Sequence, residues 1–108
     1  MTSVITEAAA LLDEAKTSPS GRAARTLVGG SGHLLRQTLI ALVSGRELAD
    51  HDNPGEATVQ VLSGSVELHA YGHSQHGGAG ELLVVPDARH GLRALDDTVV
   101  LLTVCMRS

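Results

Sequence analysis

Aromatic side chains are nearly missing from this 108-residue chain, which has one Tyr (Tyr71), no Phe and no Trp. Proteins that stack nucleobases or cage quaternary ammonium groups need several aromatic faces, so those classes fall away first. Basic residues are scarce too. Eight Lys and Arg stand against twelve Asp and Glu, for a formal net charge of −4, and the only lysine is Lys16. Without a basic run there is no electrostatic footprint for DNA, RNA or an anionic lipid surface, so neither a nucleic-acid nor a membrane partner is expected. The one cysteine, Cys105, excludes an internal disulfide, and its setting in VVLLTVCM predicts a small buried hydrophobe rather than a reactive thiolate. No stretch approaches the roughly 18 apolar residues of a membrane span. The N-terminus has no positive leader region, and Asp13 and Glu14 interrupt its apolar stretch AAALL. A cytoplasmic protein is the expectation.

What is present suits a folded domain. Hydrophobic residues make up 43% and charged residues 19%, with three prolines. A chain this long is expected to form one domain with one core, filled by 16 Leu, 11 Val, 13 Ala and only two Ile. Val4, Ile5, Ala8, Leu11, Leu12 and Ala15 fall at helical spacing, with Ser3 as N-cap and Lys16 in the last turn. Thr17-Ser18-Pro19-Ser20-Gly21 ends that pattern. Residues 1–20 therefore read as an amphipathic helix with its linker, and residues 21–108 as a β domain. Seven short apolar or alternating runs follow, at 24–29, 33–45, 57–64, 65–72, 81–86, 90–95 and 98–106, most of them parted by Gly, Pro, Asn or Asp. Such spacing predicts an antiparallel sandwich or barrel whose mouth can hold a small ligand.

Gly45, five residues and then His51 open the segment GRELADHDNPGEATVQVLSG, which closes on Gly64. Further on, GELLVVPDARH sets five residues between Gly80 and Pro86, with Ala88 and His90 following. The first segment resembles the first motif of the cupin superfamily, G(X)5HXH(X)3,4E(X)6G. The second resembles the family's G(X)5PXG(X)2H(X)3N, with Ala88 in the second glycine's place and His90 arriving one position early. The resemblance runs from about Arg25 to Val104, and within the superfamily it points to the small single-domain bacterial cupins. It implies an all-β fold, an antiparallel jelly-roll-like barrel, preceded here by one α-helix.

Cupins that hold a metal use two histidines and a glutamate from the first motif and a histidine from the second, three or four N and O donors converging with one position left open. Carried over by position, His51 takes the first histidine's place and His90 the last. Asn53 stands in the second histidine's place and Ala57 in the glutamate's. Asn offers only a neutral carbonyl oxygen and Ala offers no donor. Glu56, one residue early, shares the outward phase with Asp50 and Asp52 and needs a bulge to turn inward.

Two readings follow. In the first, His51, Asn53, Ala57, Val59, Val61, His90 and Leu92 line an aliphatic pocket for a small-molecule ligand, with no intact catalytic metal site. In the second, the chain is a metal-dependent enzyme of oxygenase or isomerase type, with His51, His90 and Asn53 or Glu56 on Fe, Mn, Ni or Zn; the sequence names no further catalytic residue. A sensor domain of a transcription regulator is disfavoured, because no helix-turn-helix accompanies the barrel.

Other histidines read as bland. His73 and His76, in YGHSQHGGAG, are expected on an exposed hairpin tip, and His69 and Glu67 on the wet face of a strand. Gln37, Gln60 and Thr103 interrupt apolar runs and need partners wherever they are buried. The apolar strands TLIALV and TVVLLTV, together with the helix, predict a homodimer. The resemblance adds that such dimers form by packing or exchanging N-terminal strands.

Overall fold

Ser3 caps the helix α1 (Val4–Thr17), its Oγ accepting from the Thr6 amide at 3.3 Å. The structure is a computed structural model and describes residues 1–52 and 55–107. Ala8, Leu11 and Ala15 form the buried stripe of α1. The helix stops at Ser18, held extended at φ −79° and ψ 137° because Pro19 bars the helical region to the residue before it. Among the described residues no helix is long and apolar enough to cross a membrane.

The strands are β1 (Arg22–Val28), β2 (Leu35–Leu42), β3 (Glu47–His51), β4 (Gly55–Ser63), β5 (Ser65–Ala70), β6 (His73–Gly78), β7 (Leu82–Val85), β8 (His90–Ala94) and β9 (Thr98–Met106). They make two antiparallel sheets, β1-β2-β9-β4-β7 and β3-β8-β5-β6, that pack face to face as a flattened barrel. Two strands were not expected from the sequence. β6 exists because Tyr71 and Gly72 both take positive φ, 56° and 73°, making a two-residue turn whose twist suits a hairpin and sets Ala70 opposite His73. His73 and His76 therefore lie on a strand and not on a loop tip. β3 is short and charged and is held by β8, through Glu47↔Arg93, Leu48↔Leu92 and His51↔His90.

Between the sheets, Leu42, Val59, Val61, Val66, Leu68, Leu92, Ala94 and Val100 form one buried cluster. A second cluster lies on the outside of the first sheet, where Ala8, Leu11 and Ala15 of α1 cover Leu39, Ala41 and Val99. Arg25 of β1 reaches back to the helix, donating to Glu7 at 2.6 Å and Glu14 at 2.7 Å. The bond to Glu7, helped by the charge of Glu14, raises the guanidinium pKa. This pair is open to water, so apolar burial rather than charge docks the helix.

Cys105 departs from its sequence reading, for it is exposed. Along β9, Val104 turns into the core and Cys105 turns out, and the helix covers only Val99 and Leu101 at the other end of the strand. Gln37 finds its partner in Thr103 across the β2–β9 ladder, at 3.2 Å, and Gln60 is exposed to water.

Candidate functional site

The turn Pro86–Arg89 delivers His90 to the start of β8, and the Ala88 amide donates to the Pro86 carbonyl at 2.8 Å. His90 stands in the inward phase of β8 and is 6% exposed. Its Nδ1 lies 2.9 Å from the Ala88 carbonyl oxygen. A carbonyl only accepts, so Nδ1 is the donor of this bond. Backbone bonds of this kind fix the orientation of an imidazole, whatever its other nitrogen meets.

The inward phase of β8 continues through Leu92 and Ala94. From the facing sheet, β4 sends Ala57, Val59 and Val61 into the same core. Glu56 goes the other way. The register Gly55↔Met106, Glu56↔Cys105, Ala57↔Val104 runs on unbroken to Val61↔Val100, so no bulge turns Glu56 inward, and it is exposed on the outer face. The backbone of His51 pairs with that of His90. The side chain of His51 lies outside the described residues, as does Asn53.

The chemistry of the described donors does not complete a metal set. Ala57 offers no donor and Glu56 faces away, and among the described residues no group of three or more His, Cys, Asp or Glu could hold a metal ion. What the arrangement offers is an aliphatic wall beside an oriented, buried imidazole.

The structure also gives His73 a place that sequence reasoning missed. His51, His90, Ala70 and His73 are successive register partners across β3, β8, β5 and β6, one transverse row at one end of the second sheet. Gly77, in the same phase of β6 as His73, is buried against Leu83, so this phase is the inner one. His73 itself is exposed. Two strand spacings put its backbone about 10 Å from that of His90, at the rim of the same end of the barrel. The missed signal was the Tyr-Gly turn, which lacks the Asn or Asp that marks most such hairpins.

His69 and His76 stand on the outer face of the second sheet. His69 Nε2 lies 2.9 Å from Asp50 Oδ1, reaching it across Gly91, where a Cβ would strike both partners. His76 Nε2 lies 3.2 Å from Glu67.

No family model matches the sequence, and no curated protein matches it. Solved structures do. A conserved protein of unknown function from Streptococcus pyogenes, SPY1581, is 29% identical over 84% of this chain and 79% of its own, with a TM-score of 0.76. An RmlC-like cupin from Desulfovibrio desulfuricans is 26% identical over 78% of this chain and 81% of its own, with a TM-score of 0.68. The chain belongs to the cupin superfamily. A cupin superfamily protein from Desulfitobacterium hafniense DCB-2 shares the fold at only 13% identity, with a TM-score of 0.73 over 80% of this cupin and 78% of its own chain. The motif glycines of this cupin have a physical reason. Gly64 takes φ 82° in the β4–β5 turn, and a Cβ there would run into the Asp97 carbonyl and Thr98.

Proposed function

We propose that this cupin binds a small, largely aliphatic molecule carrying one polar or anionic group, and that it does so without an intact catalytic metal site. The observation that carries the reading is Ala57. Where the family motif puts a carboxylate, this chain puts a methyl group, on the inner face with Val59, Val61, Leu92 and the buried His90. An imidazole accepts from a hydroxyl or amide when neutral and donates to a carboxylate when protonated. The walls are Val, Leu and Ala, with no Phe or Trp to stack a flat ring, which favours an aliphatic ligand. We read the protein as cytoplasmic from its composition, with its one cysteine outside any internal disulfide.

A thermal-shift screen of small carboxylates, alcohols and amides tests this. A ligand at 100 times its Kd stabilises by about 2.7 kcal/mol, about 10 °C or more in Tm for a domain this size. The expected result is such a shift for one chemical class, lost in His90→Gln and in a Val59→Phe variant that crowds the same inner wall. Silence across the screen, or a shift that survives both variants, contradicts the reading.

A second reading rests on the backbone register His51↔His90, which makes two imidazole-bearing residues cross-strand neighbours. Here the chain is a metal-dependent oxygenase or isomerase, with Fe, Mn, Ni or Zn on His51, His90, water and Asn53. A ligand role for Glu56 requires β4 to leave its present register. Metal content separates the two readings.

A further inference from the structure

All four carboxylates on the described strands, Glu47, Asp50, Glu56 and Glu67, stand on outer faces. The inner phase at the mouth of the barrel carries the other sign. On β2, Leu39 and Ala41 turn outward to the helix while Ile40 and Leu42 turn to the core, so the unbroken ladder with β9 gives Arg36 the inner phase. Its transverse row reads Arg36, Val104, Ala57 and Val85 across β2, β9, β4 and β7. This row crosses the first sheet where β4 begins and β7 ends. The row of His90, Ala70 and His73 crosses the second where β8 begins and β5 ends. The short turn from Val85 to His90 joins the two rows, so both border one mouth.

Arg36 stands on the side of the mouth that β3 and β8 oppose. Arg22 of β1 donates through Nη1 to the Glu47 carbonyl of β3 at 3.3 Å, and Leu48 of β3 borders one hollow of about 320 Å³ with Ile40 of β2. The guanidinium is exposed and, among the described residues, without an ionic partner, whereas Arg25 is held by Glu7 and Glu14 and Arg107 by Asp87. The stem of Arg36 runs beside Gly29, its Cγ 3.5 Å from where a Cβ would stand.

We propose that Arg36 anchors the head group of the ligand and that the ligand is a small aliphatic carboxylate. The inference rests on the pocket reading above and narrows its polar group to one anion. The row that holds Arg36 decides it. Ala57, where the motif this chain resembles has its glutamate, puts a methyl group in that row, two strand spacings from Arg36, about 10 Å between backbones. An inner carboxylate is absent and an inner cation is present, so the ligand brings the negative charge. A guanidinium takes a carboxylate through two parallel N–H···O bonds. Val104, Ala57, Val85 and Ala70 leave an aliphatic lining for the carbon chain. The fixed charge of the inner mouth is one guanidinium, which matches one carboxylate rather than a phosphate dianion. The chain as a whole is acidic, at net −4, and repels anions everywhere else, so the local cation also sets where an anion enters.

Titration of the full chain, followed by the NMR shifts of its amides, tests the proposal with acetate, propionate, butyrate and hexanoate, each against its own primary amide. The expected result is that the carboxylates bind about tenfold or more tighter than their amides, with the largest shifts at Arg36, Val104 and Ala57. Arg36→Gln abolishes the preference and Arg36→Lys retains part of it. Equal binding of acid and amide, shifts confined to other parts of the chain, or a preference that survives Arg36→Gln overturns the proposal. Binding of the amides alone, lost in His90→Gln, overturns the anchor and leaves the pocket reading standing. Silence from acids and amides alike overturns both. The comparison of acid with amide uses the unmutated chain, so it stands even if an Arg36 variant fails to fold.

Discussion

At Thr98, one buried hydroxyl holds the β4–β5 turn to β9. Its Oγ1 accepts from the Ser65 amide at 3.1 Å and lies 3.0 Å from the Ser65 carbonyl and 2.8 Å from that of Asp96. Thr98→Val keeps the shape and removes the partner, leaving the Ser65 amide unsatisfied beside a turn that Gly64 already makes tight. We expect a loss of about 1–3 kcal/mol in urea unfolding, and a change within about 0.5 kcal/mol, the usual span for a surface substitution, would contradict that role. Single residues were legible in proportion to how strictly alternation binds them. Ala57, Val59 and Val61 point inward and Glu56 outward because an unbroken ladder admits no other phase. Cys105 was not legible. Its apolar neighbours identify a strand, but which end of that strand the helix covers depends on packing that the local sequence does not contain.

Elements are set by what they pack against, and α1 is the plainest case. Leu11 is 1% exposed and sits at the centre of the cluster with Leu39, Ala41 and Val99. Leu11→Ala removes that anchor and is expected to cost about 2–4 kcal/mol, read by thermal or urea unfolding. A cost under about 1 kcal/mol would mean that the helix is an appendage rather than part of the core. The helix was readable from its spacing, its cap and Pro19, all of which are local. β6 was not, since HSQHGG has no β-branched residue and carries two glycines. It is a strand because β5 offers it a ladder after the Tyr71–Gly72 turn, and strand formation depends on such pairing more than on intrinsic preference. β3 was hidden for the same reason, its pairing with β8 being its main support. These two omissions also hid the row that runs from His51 to His73.

For the whole molecule, the regular alternation of short strands and turns gave the fold class, and the spacing of Gly45, His51, Gly64, Gly80 and Pro86 pointed to the cupin superfamily. Neither could give the ligand, because pocket chemistry lies in a few side chains from different strands whose meeting is a property of the fold. Ala57, where the motif this chain resembles has its glutamate, and the outward phase of Glu56 lead to the central proposal, that this cupin binds its ligand without an intact metal site. Elemental analysis of the chain purified without an affinity tag tests it most directly. The account predicts Fe, Mn, Ni and Zn all far below one atom per chain, unchanged by His51→Ala or His90→Ala. One atom of any of them per chain, lost in either variant, would contradict it.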